Sequence, residues 1–230
     1  MQEVYTSGVY VEHNPDWHAG ESPWKARQIL AMLARQRMQP RAICEVGCGA
    51  GEVLRQLQEC MSDGCEFWGY EISPFAFDLC REKANDRLHF KLADFTQENV
   101  TPFDLVLVLD VIEHLEDYFS FLRGIQPKGR FKIFHIPLDL SVQTVLRGKA
   151  LIKRRDQYAH LHFFTKDLAL RALKDAGYQV LDYTYTPRAV EIGGTRAQRV
   201  IRLPRKVCFS LNRDLTARVL GGFDLLVLAT

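Results

Sequence analysis

The chain has 230 residues, of which 47% are hydrophobic and 25% charged, and its net charge at pH 7 is +2. A chain of this length and composition can bury one sizeable core, so we expect one domain with additions. No run approaches the roughly 18 apolar residues that cross a bilayer, and the polar N-terminus lacks a signal-peptide core. The net charge is too small to indicate nucleic-acid binding by itself. We therefore expect a protein without a membrane span, located in the cytoplasm.

The six cysteines have no paired C-x-x-C spacing, and most of them lie in apolar segments. This pattern favours buried free thiols in a reducing compartment over disulfides or a zinc site. The cysteines are Cys44, Cys48, Cys60, Cys65, Cys80 and Cys208.

Strand and helix patterns alternate along the chain, which predicts an α/β fold with a doubly wound parallel sheet. The first predicted helix covers residues 22–37 and begins with Ser22 as N-cap and Pro23. The predicted strands are 41–46, 65–72, 88–94, 103–112, 129–137, 178–186 and 221–229. Further helices are predicted over 51–61, 74–84 and 165–177, the last closed by Gly177. Two insertions, at about 138–160 and 188–219, interrupt the pattern, and each carries a basic cluster.

A glycine-rich turn, "EVGCGAG" at 45–51, follows the first predicted strand. Gly47 and Gly49 fit the dinucleotide pattern G-x-G-x-x-G, but Glu52 occupies the place of its third glycine. An acid there would face a pyrophosphate, which argues against NAD or FAD. Glu45, at the end of the strand, would place a carboxylate beside a cationic group, which suits an ammonium or a sulfonium better than a phosphate.

Two more acids close the next two predicted strands. Glu71 ends the second strand, where α/β folds use a carboxylate to accept the ribose hydroxyls. Asp94 ends the third strand, where it could accept a hydrogen bond from an adenine amino group. Glu45, Glu71 and Asp94 therefore lie along one edge of the predicted sheet, at which open α/β folds bind ligands.

With these residues the chain resembles the class I S-adenosylmethionine-dependent methyltransferases. The likeness runs in order through "EVGCGAG", "GYEIS", "ADF", "FDLVLVLDVIEHLED" and "HLHFFTKDLALRALKDAGY", over residues 40–187. The resemblance implies S-adenosylmethionine as cofactor. It also implies a three-layer sandwich with a seven-stranded, mostly parallel sheet whose last strand is antiparallel.

The resemblance further implies which residues hold the cofactor. The three glycines of the turn would cradle it, Glu71 would hold the ribose and Asp94 the adenine amino group. Leu109 to Val111 would pass beside the methionine moiety. The expected cofactor-binding residues are Glu45, Gly47, Cys48, Gly49, Gly51, Glu71, Ile72, Asp94, Phe95, Leu109, Asp110 and Val111.

Methyl transfer to oxygen or nitrogen often needs a general base, and histidine suits this role because it titrates near neutral pH. The candidates are His114, His135, His160 and His162. We select His114 and His160 as the expected catalytic residues. Each could instead be a structural histidine.

The segment "DVIEHL" at 110–115 leaves a metal alternative open. Small-RNA 2'-O-methyltransferases and ubiquinone-biosynthesis O-methyltransferases hold a divalent metal with acid-x-x-Glu-His after this strand, and the small-RNA enzymes add a later histidine. The matching positions are Asp110, Glu113, His114 and His160, a ligand set that suits Mg, Mn, Fe or Zn. Many metal-free methyltransferases also have Glu-His here, so a site without metal is our expectation.

On the acceptor side, residues 1–39, which include Tyr5, Tyr10 and His18, would form either a lid or an arm packed on the sheet, before a methyltransferase domain over 40–230. The insertions at 138–160 and 188–219 would complete the acceptor pocket. We expect O-methylation of a small-molecule acceptor, which is anionic if the first basic cluster pairs with it. Nucleic acid is disfavoured because a base-methylation motif, a zinc module and an aromatic-basic platform are all missing. An RNA 2'-O-methyltransferase and a cofactor-binding protein without catalysis stay open as alternatives.

Overall fold

The computed structural model describes residues 14, 17, 19–192 and 196–230, the last range without the side chains of residues 196–201. In this part of the chain seven strands form one sheet in the order β3-β2-β1-β4-β5-β7-β6. The strands are β1 (Ala42–Val46), β2 (Glu66–Glu71), β3 (Leu88–Leu92), β4 (Phe103–Leu109), β5 (Gly129–Pro137), β6 (Val180–Thr186) and β7 (Asp224–Ala229). Strands β1 to β5 run parallel, and β7 pairs antiparallel with β5 and β6. The predicted sheet, including its antiparallel last strand, is confirmed.

Helices lie on both faces of this sheet. They are α1 (Ser22–Arg35), α2 (Glu52–Cys60), α3 (Pro74–Arg81), α4 (Tyr118–Ile125), α5 (Val142–Leu146), α6 (Ala150–Tyr158), α7 (Lys166–Asp175), α8 (Arg188–Glu191), α9 (Arg196–Leu211) and α10 (Arg213–Leu220). One-turn helices occupy Ala19–Glu21, Phe95–Gln97, Ile112–His114 and Gln126–Lys128.

Two apolar clusters, one on each face of the sheet, form the core. On one face Ile29 of α1 and Leu54 of α2 pack with side chains of β1, β2 and β4. On the other face Leu122 of α4 and Leu173 of α7 pack with side chains of β1, β4 and β5. β4 is buried on both faces, which is why its sequence is a continuous apolar run rather than an alternating one.

The predicted elements are present, with ends shifted by a few residues. Ser22 is the first residue of α1, and Glu21 takes the N-cap position assigned to it. Gly177 lies one residue beyond the C-cap of α7, with a left-handed φ of 96° that glycine adopts without strain. The sequence patterns did not predict α4 or the helices of the two insertions, α5, α6, α8, α9 and α10.

Other expectations meet the structure in part. All six cysteines are free, and four are buried, while Cys60 and Cys208 are exposed. Among the described helices, none combines the length and apolarity that a membrane crossing requires. Of the expected lid, Tyr5, Tyr10 and His18 lie outside the described residues.

Candidate active site

The turn after β1 has a left-handed backbone at each of its three glycines. The φ angles are 71° at Gly47, 54° at Gly49 and 72° at Gly51. The amides of Gly47 and Cys48 donate to the carbonyl of Tyr70 at 2.8 and 3.1 Å. The turn is thereby tied to β2, and glycine is needed because other residues rarely adopt this conformation.

The glycines of the turn differ in what surrounds them. A Cβ added to Gly51 would lie 2.6 Å from ring atoms of Phe90, so this position is filled by packing. A Cβ on Gly49 would meet its nearest described neighbour, Trp17, at 3.8 Å. Gly47 and Gly49 line a cavity at the carboxyl ends of the strands, whereas Gly51 caps α2 behind it.

Glu71 ends β2 and lies in the wall of the same cavity. Its Oε2 accepts a hydrogen bond from the Gly49 amide, and its Oε1 accepts from the Ile72 and Ser73 amides, each at 2.8 Å. Burial raises the pKa of Glu71, although these three backbone bonds oppose the shift. A carboxylate oxygen can accept two hydrogen bonds, so Oε2 retains one position for a ligand hydroxyl.

Glu45, at the end of β1, is a buried acid with an unpartnered oxygen. It is 3% exposed, and among the described residues its Oε2 has no hydrogen-bond partner. Burial raises its pKa to about 8, against the opposing influence of Lys25. A cationic ligand group in this cavity would supply the partner that Glu45 lacks.

A second cavity adjoins the first on the side of β3. Asp94 and Phe95 line it, and Asp94 Oδ1 accepts from the amide and the hydroxyl of Thr96 at 2.9 and 2.7 Å. The two cavities share Gly47, Ile72, Val111, His114 and Leu115. The cleft is therefore continuous from Asp94 to Glu45, and all three acids predicted along this edge line it.

Asp110, directly after β4, belongs to a buried charge network. Its φ is 55°, and its two oxygens bind Lys25 Nζ at 2.7 Å and His135 Nδ1 at 2.5 Å. The other ring nitrogen of His135 bonds to Thr186 Oγ1 at 3.0 Å. Burial alone would raise the pKa of Asp110, but His135 and Lys25 hold it well below its usual range. Asp110 and Thr186 thus bind both ring nitrogens of His135, so we interpret His135 as a structural residue and not as a base.

Lys25 is a functional candidate that the sequence analysis missed. It projects from α1 into the cavity with 12% of its side chain exposed. Burial alone would lower the pKa of Lys25. The attraction of Asp110 and Glu21 outweighs this and raises the pKa above its ordinary value, so Lys25 stays charged. The signal in the sequence is weak, because one lysine among the apolar residues of a helix usually extends to solvent.

Glu113, His114 and His160 meet at the other end of the first cavity. One donor atom from each lies within 4.8 Å of the others. Glu113 is 1% exposed, and in the described part of the chain neither of its carboxylate oxygens has a hydrogen-bond partner. Burial first, and then Asp110 and Asp139, raise its pKa well above the ordinary value.

His160 has a carboxylate partner that the sequence analysis also missed. Its Nδ1 lies 2.6 Å from Asp139 Oδ2, and Asp139 Oδ1 pairs with Arg154 at 2.6 Å. Asp139 is 5% exposed and follows β5 by two residues. This hydrogen bond assigns the proton to Nδ1 of His160 and leaves Nε2 as the nitrogen without it.

The other two histidines bind backbone carbonyls. His114 Nδ1 lies 3.3 Å from the Ala159 carbonyl, and His162 Nε2 lies 2.8 Å from that of Leu115. The ring of His114 meets that of His160 edge-on, with centroids 4.9 Å apart. His160 is thus the histidine lining the cleft whose ring is held by a carboxylate.

The four-residue metal alternative is assembled in part. Glu113, His114 and His160 lie together, and a divalent ion could take one donor atom from each. Asp110 is engaged instead by Lys25 and His135. Asp110 therefore lies outside the group that could share an ion, because Lys25 and His135 already bind its two oxygens.

Comparison with known proteins agrees with this arrangement. Residues 44–128 match the family model described as a methyltransferase domain. This segment contains the glycine turn, Glu71, Asp94 and the Glu113-His114 pair. A search of curated proteins found no match.

Solved structures show the same fold. Magnesium protoporphyrin IX methyltransferase from Synechocystis PCC 6803, with bound SAH, aligns with a TM-score of 0.61 and 16% identity over 90% of this chain and 82% of its own. The plantazolicin methyltransferase BpumL, in complex with a monoazolic desmethylPZN analog and SAH, gives 0.65 and 15% over 99% and 92%. An S-adenosylmethionine-dependent methyltransferase from Mesorhizobium loti gives 0.52 and 20% over 83% and 90%. The chain is therefore similar to S-adenosylmethionine-dependent methyltransferases in its fold, and its residues 44–128 match a methyltransferase domain.

Proposed function

We propose that the chain O-methylates a small-molecule acceptor, with His160 as general base and Asp139 as the residue that positions it. The observation that carries this proposal is the 2.6 Å hydrogen bond between His160, which lines the cavity, and the buried Asp139. With Nδ1 bound to Asp139, Nε2 is the nitrogen that can take the proton from a hydroxyl. Asp139 orients the ring and stabilises the positive charge that the ring then acquires.

The residues of the cleft fit S-adenosylmethionine. When bound, this cofactor supplies a methyl group on a sulfonium sulfur that is already a good leaving group. We assign the adenine to Asp94 in the second cavity, the ribose to Oε2 of Glu71, and the ammonium to Glu45. The unpartnered Oε2 of Glu45 and the bare backbone at Gly49 support this assignment.

Next to the proposed base, Glu113 affects the charge of the site. Burial raises the pKa of Glu113 and so favours its neutral form. The acceptor oxygen becomes negative as it loses its proton. A neutral carboxyl does not repel this charge, whereas a carboxylate would. The acceptor would then be aligned by contacts with the cavity wall, while the same wall excludes water.

The charges of the cavity limit how strongly an anionic acceptor is favoured. Of the five basic residues in the first insertion, Arg154 lines the cavity, and its partner is Asp139. Lys25 and Arg188 also line it, paired with Asp110 and Glu21. Because each of these cations already has an acidic partner, we propose a hydroxylated acceptor without a required negative charge.

The test separates the chemical step from cofactor binding. Formation of S-adenosylhomocysteine is measured with a panel of hydroxylated small molecules, and affinity for S-adenosylhomocysteine is measured by calorimetry. We expect His160→Asn to lower turnover at least about 100-fold while affinity changes less than about twofold. His162→Asn is the matched control, since His162 binds a backbone carbonyl, and its turnover should stay near that of the wild type. Equal losses of turnover in both variants, or full turnover in His160→Asn, would overturn the assignment of His160 as the base. Turnover with any acceptor would exclude the alternative of a cofactor-binding protein without catalysis.

The cluster of Glu113, His114 and His160 favours a second candidate, an RNA 2'-O-methyltransferase that uses a divalent metal. Under this alternative, exhaustive treatment with a chelator abolishes activity and Mn²⁺ restores it. Glu113→Gln would then lower Mn²⁺ affinity in a calorimetric titration without any acceptor. The first proposal expects activity to survive chelation and expects single-stranded RNA not to be methylated.

A further inference from the structure

Four helices of the two insertions form a continuous surface, which we call the helical cap: α5, α6, α9 and α10. They pack in the order α6, α5, α10, α9. Arg205 of α9 joins three of them, because it donates to Gln143 Oε1 on α5 and to the Leu220 carbonyl at the end of α10, at 2.9 and 3.1 Å. Phe209 of α9 stacks on Phe223, with ring centroids 4.6 Å apart. The cap is therefore an ordered part of the fold.

The outer side of the cap is unusually apolar. Nine of the fifteen large apolar side chains that are exposed in the described residues belong to it. On α9 the side chains of Leu203, Val207 and Leu211 are 69%, 52% and 81% exposed. They stand four residues apart and so share one side of the helix, while Phe209 faces the core. Helix α9 thus has a second apolar stripe that the described chain does not cover.

The neighbouring helices continue this pattern. On α5, Val142, Val145 and Leu146 are 50%, 57% and 81% exposed. Ile152 on α6 and Leu215 on α10 are 58% and 57% exposed. Each of the four helices therefore presents aliphatic side chains to solvent.

Basic side chains lie among these apolar ones. Residues 141–158 and 202–220 contain ten Lys or Arg and two Asp, whereas the whole chain has 30 basic and 28 acidic residues. The cap is thus strongly positive, and the rest of the chain is net negative. Exposed basic residues occur on α9 and α10, as Arg202, Lys206 and Arg213, and next to or within α6, as Arg147, Lys149, Lys153 and Arg155.

These seven basic residues form no ion pair with any described residue, whereas Arg154 and Arg218 of the cap each pair with an acid. Arg55, Arg81 and Arg171 each pair with an acid on their own helix. With ten basic and two acidic residues, the cap keeps an excess of positive charge on its surface. An external anionic surface would neutralise this charge.

We propose that the helical cap docks on an anionic lipid membrane surface. Helices with exposed aliphatic side chains flanked by Lys and Arg are typical of segments that lie in a lipid interface. Single-stranded RNA is recognised largely by stacking on aromatic rings, and the exposed large apolar side chains of the described cap are all aliphatic. A second copy of the chain would bring two positive surfaces together, so the charge opposes self-association through the cap.

The cap also reaches the cleft. Arg154 and Tyr158 of α6 line the first cavity, and His160 follows that helix by two residues. Docking through the cap would hold the acceptor cavity beside the bilayer. If the proposed O-methylation holds, its acceptor is then a hydroxylated molecule that partitions into membranes, whereas the docking itself does not depend on the reaction.

Vesicle co-sedimentation tests the docking on the full chain. We expect binding to vesicles with about 30% phosphatidylglycerol in phosphatidylcholine, and little binding to pure phosphatidylcholine. Raising NaCl from about 0.05 M to about 0.5 M shortens the Debye length and should weaken binding at least about tenfold. No binding to anionic vesicles at the lower salt, or equal binding to both vesicle types, overturns the proposal.

Two pairs of variants separate the apolar from the charged part of the surface. One double variant combines Leu203→Ser with Leu211→Ser, and the other combines Lys153→Glu with Lys206→Glu. We expect each double variant to weaken vesicle binding at least about tenfold. The matched control is Leu79→Ser with Leu92→Ser, which changes two exposed leucines by the opposite edge of the sheet and should leave binding unchanged. Unchanged melting temperature and unchanged affinity for S-adenosylhomocysteine show that the variants are folded. Three results would refute membrane docking. The control pair could lose vesicle binding equally, the chain could bind single-stranded RNA in place of vesicles, or it could form a dimer that dissociates when Leu203 and Leu211 are changed.

Discussion

Binding of S-adenosylhomocysteine should release a proton, because Glu45 has to ionise when it meets the ligand ammonium. In the ligand-free protein the Glu45 pKa is about 8, against an ordinary value of 4.5. At pH 7 the carboxyl is therefore mostly protonated. Ionising it at that pH costs about 1.4 kcal/mol, the equivalent of one pKa unit.

This cost sets the pH dependence of affinity. Each unit of pH below 8 should weaken binding about tenfold, so the dissociation constant falls as pH rises from 6 to 8 and levels off above 8. Glu45→Gln removes the titrating group while keeping its size. The variant should show a flat profile between pH 6 and 8 and bind at least about tenfold more weakly at pH 8, because an amide does not neutralise an ammonium.

The same group links folding stability to pH. A raised carboxyl pKa means that the folded state binds the proton more tightly than the unfolded state. The contribution of Glu45 to stability is therefore present below pH 4.5 and is lost as pH rises through 8. The full gap of about 3.5 units corresponds to about 5 kcal/mol. Ligand-free Glu45→Gln should lose less stability than the wild type over this window, as measured by urea unfolding.

Calorimetry in two buffers with different ionisation enthalpies counts the protons. At pH 6.5 the wild type should release about one proton per ligand bound, and Glu45→Gln should release close to none. The variant also controls for titration of the ligand itself. Identical proton counts, or parallel pH profiles, in the two proteins would show that Glu45 does not meet the ammonium.

Two further predictions concern the turn and the charge network. Gly51→Ala should destabilise the fold by about 1–3 kcal/mol in urea unfolding, since its Cβ would lie 2.6 Å from Phe90. Gly49→Val, at the open position, should instead remove affinity for S-adenosylhomocysteine with a smaller loss of stability, and the opposite pattern would contradict the placement of the two glycines. Lys25→Met should destabilise the protein by about 3 kcal/mol because Asp110 loses its buried partner. A melting temperature equal to that of the wild type would mean that the ion pair contributes nothing.

The strand-end edge of the cleft could be predicted because it depends on local rules. A carboxylate at the end of a parallel strand reaches the same edge as its neighbours whatever covers the sheet. Glu45, Glu71 and Asp94 each follow or end a strand, and they all line the cleft. Three glycines at every second position likewise specify a left-handed turn before any tertiary contact is known.

The acceptor side could not be predicted in the same way. Asp139 and His160 lie 21 residues apart, and they meet only because α5 and α6 fold back over the end of β5. Helix α9 contains Pro204 and carries apolar residues on two sides, so its pattern lacks the single stripe that predicts a surface helix. Tertiary packing determines both features. From the sequence alone, these two regions were two basic insertions without predicted helices.

Lys25 explains why Glu45 and not Asp110 keeps an oxygen without a partner. Two buried acids lie near this one lysine, and it pairs with Asp110 at 2.7 Å while Glu45 Oε2 has no hydrogen-bond partner among the described residues. His135 binds the other oxygen of Asp110, so both oxygens of that carboxylate have a partner and its pKa stays low. Glu45 instead receives only the longer-range attraction of Lys25, which does not offset its burial, and its pKa rises to about 8. By placing Lys25 next to Asp110, α1 thus stabilises one acid through an ion pair and leaves the other, under the proposed function, to bind the ammonium of the cofactor.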